Sequence, residues 1–114
     1  MNTIIQQLKE QFPEIFPKTM ENNRYEAYKV LHHFGNYCVR NLEKEETQEI
    51  LNAINKIYQR KNLFTSNAIE NEFLFALATE LGVTDLMKHL KILPENLWAV
   101  YISVLIETQK NNKL

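Results

Sequence analysis

Between Asn67 and Gly82 the apolar residues Ile69, Phe73, Leu74, Leu77, Ala78 and Leu81 recur at intervals of three and four. That spacing lines them along one stripe of an α-helix and along no single face of a strand. Asn67 stands where a helix cap is wanted, with Glu70 three residues on as in a capping box, and Gly82 supplies a stop. A start signal, a stripe and a stop signal therefore agree on a helix over 67–81. The same grammar runs along most of the chain. With only two Gly and three Pro in 114 residues, turns are too few for a sandwich or barrel of short strands. The expectation is an all-α fold: a compact bundle, or a two-layer stack of helix hairpins, of about five to six helices in a single domain over 1–114.

Ile4, Ile5, Leu8 and Phe12 form a short first helix, capped by Asn2 or Thr3 and ended at Pro13. Ile15 and Phe16, held between Pro13 and Pro17, are expected to tuck under a neighbouring helix, and Asn22 and Asn23 mark a turn. A second helix, from Asn23 to about Asn41, has an aromatic stripe of Tyr25, Tyr28, Leu31, Phe34, Tyr37 and Cys38. Gly35 lies within it. Glycine inside a helix costs about 1 kcal/mol relative to Ala, so it marks either a close approach to another backbone or a local break. Glu43 to Glu46 open a third helix with acids at the positive end of its dipole, and Ile50, Leu51, Ile54, Ile57 and Tyr58 form its stripe. After the 67–81 helix, Thr84 caps a short helix from Asp85 to Lys91 carrying Leu86, Met87 and Leu90. Pro94 suits the first position of the last helix, which runs to about Gln109 with Leu97, Trp98, Tyr101, Ile102, Leu105 and Ile106 on one broad face. Residues 110–114 read as a frayed tail. Paired helices of this length also fit a solenoid fragment.

The charge is balanced. A net charge of −1, with Lys and Arg scattered among acids, leaves no cationic stripe of the kind duplex DNA or RNA requires, so nucleic acid is an unfavoured partner. One cysteine, Cys38, excludes a disulfide framework and a cysteine zinc site and suits a reducing compartment. No apolar run approaches the roughly 20 residues of a membrane span, and Met1 to Phe12 lacks a signal-peptide core. A cytoplasmic protein that uses no membrane is expected.

No constellation for chemistry stands out. His32 and His33 are adjacent, so on a helix they point about 100° apart and do not grip one ion together; metal-binding helices use offsets of three or four. One is expected to pack beside the aromatic stripe and the other to face water. Glu70 and Glu72 are better explained by capping and the helix dipole than by acid–base work. Cys38 has no cationic neighbours to activate it. The expectation is no catalytic, cofactor-binding or metal-binding residue, and no enzyme. The segment 78–91 has the outline of a helix-turn-helix, the alternative reading being a DNA-binding regulator that uses Lys88, His89 and Lys91. The stronger feature is an excess of aromatics, of which Tyr25, Tyr28, Phe75, Trp98 and Tyr101 are candidates for contact with an unidentified protein partner or a second copy of the chain.

The run Asn67-Ala68-Ile69-Glu70-Asn71-Glu72-Phe73-Leu74-Phe75-Ala76-Leu77, followed by Leu93-Pro94 and Trp98, resembles a bacterial family of small all-helical proteins of unknown function. Gln11-Phe12-Pro13-Glu14 and the region of Tyr37 fit the same pattern, whereas Leu93 stands where a glycine is expected before the proline. The resemblance covers most of the chain. It implies an immunity or partner-binding factor rather than an enzyme and carries over no catalytic residue.

Overall fold

Phe73, Leu74, Ala76, Leu77 and Ala78 are all buried, so the helix that carries them is enclosed on more than one side and forms the axis of the molecule. The computed structural model describes residues 2–17 and 26–112, apart from the side chains at 2, 3, 26, 111 and 112. The capping role expected of Asn2 or Thr3 and the turn at Asn22 and Asn23 lie outside what is described. Six helices make an all-α fold: α1 (Asn2–Gln11), α2 (Glu26–Arg40), α3 (Glu45–Tyr58), α4 (residues 63–81), α5 (Leu86–Ile92) and α6 (Trp98–Asn112). No strand occurs among the described residues. Helix α4 packs chiefly against α2, with α6 and α3 also in contact, while α1 and α3 pack on α2. One cluster of buried side chains runs from Ile4 of α1 to Leu105 of α6. As anticipated, Ile15 and Phe16 turn inward; Phe16 sits 6.5 Å from the Phe34 ring, and Phe12 meets the same ring at 6.0 Å.

Helix α4 differs from the sequence expectation at its start. It begins four residues earlier, at Leu63, where the side chain of Asn62 accepts a hydrogen bond from the Thr65 N–H at 3.0 Å. Asn67 is therefore a mid-helix residue, not a cap, and Glu70 is not half of a capping box. Its carboxylate instead accepts the Tyr58 hydroxyl at 2.8 Å, tying α3 to α4. The extension escaped notice because Leu63 and Phe64 are exposed and break the apolar rhythm. Between Ile69 and Leu74 the helix widens into a π segment, flanked by α-helix at Leu63–Ala68 and Phe75–Leu81. Such a turn shifts the phase of all later side chains around the axis. Gly82 ends the helix as expected, at φ 61°, a region that side chains disfavour.

Gly35 marks a close approach. A Cβ added there would lie 2.9 Å from the Ala76 Cβ and 3.0 Å from the Phe73 carbonyl oxygen, so α2 stays continuous and rests almost directly on the backbone of the π segment. The α2–α3 turn is closed by side chains: the Asn41 amide donates to the Tyr37 carbonyl at 2.8 Å, and the Thr47 hydroxyl to the Asn41 carbonyl at 2.6 Å.

The C-terminal third needs further corrections. Asp85, in a left-handed conformation at φ 57°, rather than Thr84, precedes α5, and it makes no side-chain cap bond. Pro94 leads into a 3₁₀ turn, Glu95–Leu97, and α6 proper starts at Trp98. That helix runs on to Asn112, beyond the expected end at Gln109. Its buried stripe is Leu97, Tyr101, Leu105 and Thr108, while Ile102 and Ile106 are exposed, as is Met87 of α5. With α4 covering one side, α6 buries a narrow face and leaves these isoleucines outward.

Two stability tests follow from this geometry. Gly35→Ala gains helix propensity but overpacks the crossing, so urea titration should give a net loss of about 1–2 kcal/mol. Asn62→Ala should cost about 1 kcal/mol through the lost cap, and Asn67→Ala close to nothing.

Candidate functional site

Tyr28, His32, Asn36 and Arg40 follow one another at four-residue spacing along α2, so they form a ridge down one side of that helix. Because Gly35 lets α2 sink toward α4, the ridge is matched by the near side of α4 and a groove lies between them. One hollow of about 260 Å³ is bounded by His32, Asn36 and Arg40 on α2 and by Phe75, Thr79 and Glu80 on α4. A second, about 460 Å³ and more open, is bounded by Tyr28, Lys29, His32 and Asn36 together with Glu72. His32 and Asn36 line both hollows, which makes them one groove.

The groove is amphipathic. Phe75, 41% exposed, supplies an apolar wall. At the far end Tyr28 packs against Phe64 with ring centroids 6.2 Å apart, beside the exposed Leu63. Charges of both signs border it, with Arg40 and Lys29 on α2 against Glu72 and Glu80 on α4. His32 Nδ1 stands 3.8 Å from a Glu72 carboxylate oxygen, the two side chains being 48% and 32% exposed. The adjacent histidines separate as expected. His33 borders only the more open hollow, packs edge-on to Phe34 at 6.0 Å and bonds through Nε2 to the Ile15 carbonyl at 2.8 Å, pinning the α1–α2 connector to α2.

The five partner-contact candidates fare differently. Tyr28 and Phe75 both line the groove. Tyr101 is fully buried and belongs to the core, so it is not a surface contact. Trp98 is half-buried and anchored, its indole N–H donating to the Leu93 carbonyl at 2.9 Å. Tyr25 lies outside the described residues. The sequence reading missed Asn36, Arg40, Thr79 and Glu80 as groove residues; the four-residue ladder on α2 was visible, but the near side of α4 was not. On α5, Lys88 and Lys91 are exposed whereas the Nδ1 of His89 is buried. No group of three or more His, Cys, Asp or Glu side chains could hold a metal among the described residues, nor is any described helix long and apolar enough to cross a membrane.

Three groups have raised pKa values. Burial pushes the Cys38 thiol up to about 12, partly opposed by the neighbouring Thr47 side chain. Burial likewise raises the Tyr101 phenol to about 12, and Tyr58 reaches about 12 through burial first and then through the Glu70 hydrogen bond and charge. The unfolded chain releases these protons near 9.0 for the thiol and 10.0 for the phenols, whereas the folded chain holds them to about 12. The folded state thus binds more protons across that interval. Its stability should be intact below pH 9 and fall as pH rises toward 12, as read by urea midpoints at stepped alkaline pH. Cys38, having no exposed surface, should react with an aromatic disulfide reagent at least about a hundredfold more slowly in native buffer than in urea.

The sequence profile of a family described as a domain of unknown function, DUF7674, matches residues 5–109. No curated protein and no solved structure matches the chain. The match takes in α2 to α5 whole, most of α1 and α6 and both sides of the groove, and the chain belongs to the DUF7674 family.

Proposed function

We propose that this protein is a non-catalytic, cytoplasmic binding module of the immunity type that holds an elongated, amphipathic segment of a protein partner in the α2–α4 groove. The observation carrying this reading is the groove's composition: an exposed aromatic, Phe75, set between ionic rims of opposite sign over a rigid floor at Gly35. A helix or strand with one apolar face would bury Phe75 and Tyr28 while pairing its own charges with Arg40, Glu72 and Glu80. The rigid floor reduces the ordering cost of binding, because the surface needs little rearrangement.

A second reading is favoured by one contact, the approach of His32 to Glu72 across the groove. Acid–base catalysis would use such a pair, but 3.8 Å exceeds the roughly 2.6–3.2 Å of a working proton-transfer bond. Cys38, the sole thiol, is buried away from the groove. Recognition of charge is the simpler use of both side chains. The DNA-binding alternative rests on α5, whose seven residues present two exposed lysines.

Protein immobilised through its C-terminus should retain a specific partner from a lysate of its source cells. Phe75→Ala or Arg40→Glu should lower retention about tenfold, while Met87→Ser on α5 leaves it unchanged. Equal retention by all variants overturns the groove reading. Tight, salt-sensitive binding of a random DNA duplex, weakened by Lys88→Ala and Lys91→Ala, would favour the DNA alternative instead.

A further inference from the structure

On the other side of α2 from the groove, α2, α3, α4, α5 and α6 border a small, partly open cavity lined mainly by apolar side chains such as Leu51, Leu77 and Leu93. Three polar side chains reach it: Thr47, His89 and Tyr101. The Tyr101 hydroxyl and the His89 Nδ1 are both buried and make no hydrogen bond among the described residues. Two such groups facing one apolar cavity would each carry the cost of desolvation with nothing in return. The cavity offers a volume of about 10 Å³ to the centre of a water molecule, roughly the room that one water needs.

We infer that this cavity is a binding site for a single ordered water that bridges Tyr101 of α6, His89 of α5 and Thr47 of α3. The hydrogen-bond arithmetic closes. The Thr47 proton is committed to the Asn41 carbonyl, so Thr47 offers only lone pairs to the cavity. The Tyr101 hydroxyl donates to the water oxygen, and the water donates one proton to His89 Nδ1 and the other to Thr47 Oγ1. Three partners are typical of a buried water. In this arrangement the His89 ring accepts at Nδ1 and carries its N–H at Nε2. The water fastens α5, which is also tied to α3 by the Gln48 amide donating to the Ile92 carbonyl at 3.2 Å. A larger organic ligand does not fit this volume.

The sign of a deletion separates a bridged hydroxyl from a truly unpartnered one. With the water in place, Tyr101→Phe should reduce the folding equilibrium constant about fivefold. His89→Gln, which removes the polar atom at the Nδ1 position, should do likewise, while His89→Asn, which keeps one there, should lose less. Tyr101→Phe and His89→Gln together should cost clearly less than the product of the two single effects, since both break one bridge. In the unmodified protein, nuclear Overhauser contacts should link a long-lived water to the Tyr101 ring, a readout that does not depend on any variant folding. A gain of stability in Tyr101→Phe, strict additivity of the pair, or the absence of a long-lived water at Tyr101 would overturn the inference.

Discussion

The contact on which the rest depends is the seat of Gly35 on the π segment of α4. At the crossing a single hydrogen stands where any other residue would drive a methyl or larger group into Ala76 and the Phe73 carbonyl. Close approach brings the flanking turns into register, so that Leu31, Phe34 and Cys38 on α2 meet Ile69, Phe73 and Leu77 on α4 within one buried cluster. Core burial of this kind, at roughly 1.5–3 kcal/mol per large side chain, outweighs the cost of glycine in the helix. The molecule tolerates one locally poor residue because several good contacts depend on it.

The same crossing shapes both cavities described above. On the outer side, the sunken α2 leaves its ladder of Tyr28, His32, Asn36 and Arg40 standing beside α4 as the wall of the groove. On the inner side, α2 and α4 contribute Cys38 and Leu77 to the lining of the small, mainly apolar cavity. The π segment contributes to the first of these, since Phe75 follows it directly and is turned outward while its neighbours Leu74 and Ala76 are buried. Widened turns often accompany functional surfaces for this reason: they re-aim a side chain without breaking the helix. An exposed phenylalanine between two buried residues is what the re-aiming leaves.

Much of the fold was legible in the chain. Ile50, Leu51, Ile54 and Ile57 announced α3, and all four are buried; Gly82 announced the end of α4 and adopts a positive φ there. Helix starts were harder. Asn67 and Asn62 are the same residue type, and the choice between them depended on Leu63 and Phe64, whose exposure hides the first turn from any apolar count. The broad apolar face read into the last helix was likewise too wide, because Ile102 and Ile106 look like core residues in sequence but face outward. Of the site, Tyr28 and Phe75 were named from their chemistry alone, but so was Tyr101, which is core. Nothing local distinguishes a buried tyrosine from an exposed one.

The sequence by itself determined the helical class, most of the helix boundaries and the positions where backbone must come close or turn sharply, because these follow from periodicity and from the steric freedom of glycine. Tertiary structure alone decided which of two explanations held for Gly35, which aromatics reach the surface, and that His32 and Glu72, forty residues apart in the chain, share one groove. The reason is physical. Hydrogen bonding and side-chain spacing act over a turn or two of chain, whereas exposure is set by what another helix covers, and that is fixed only when all six pack together.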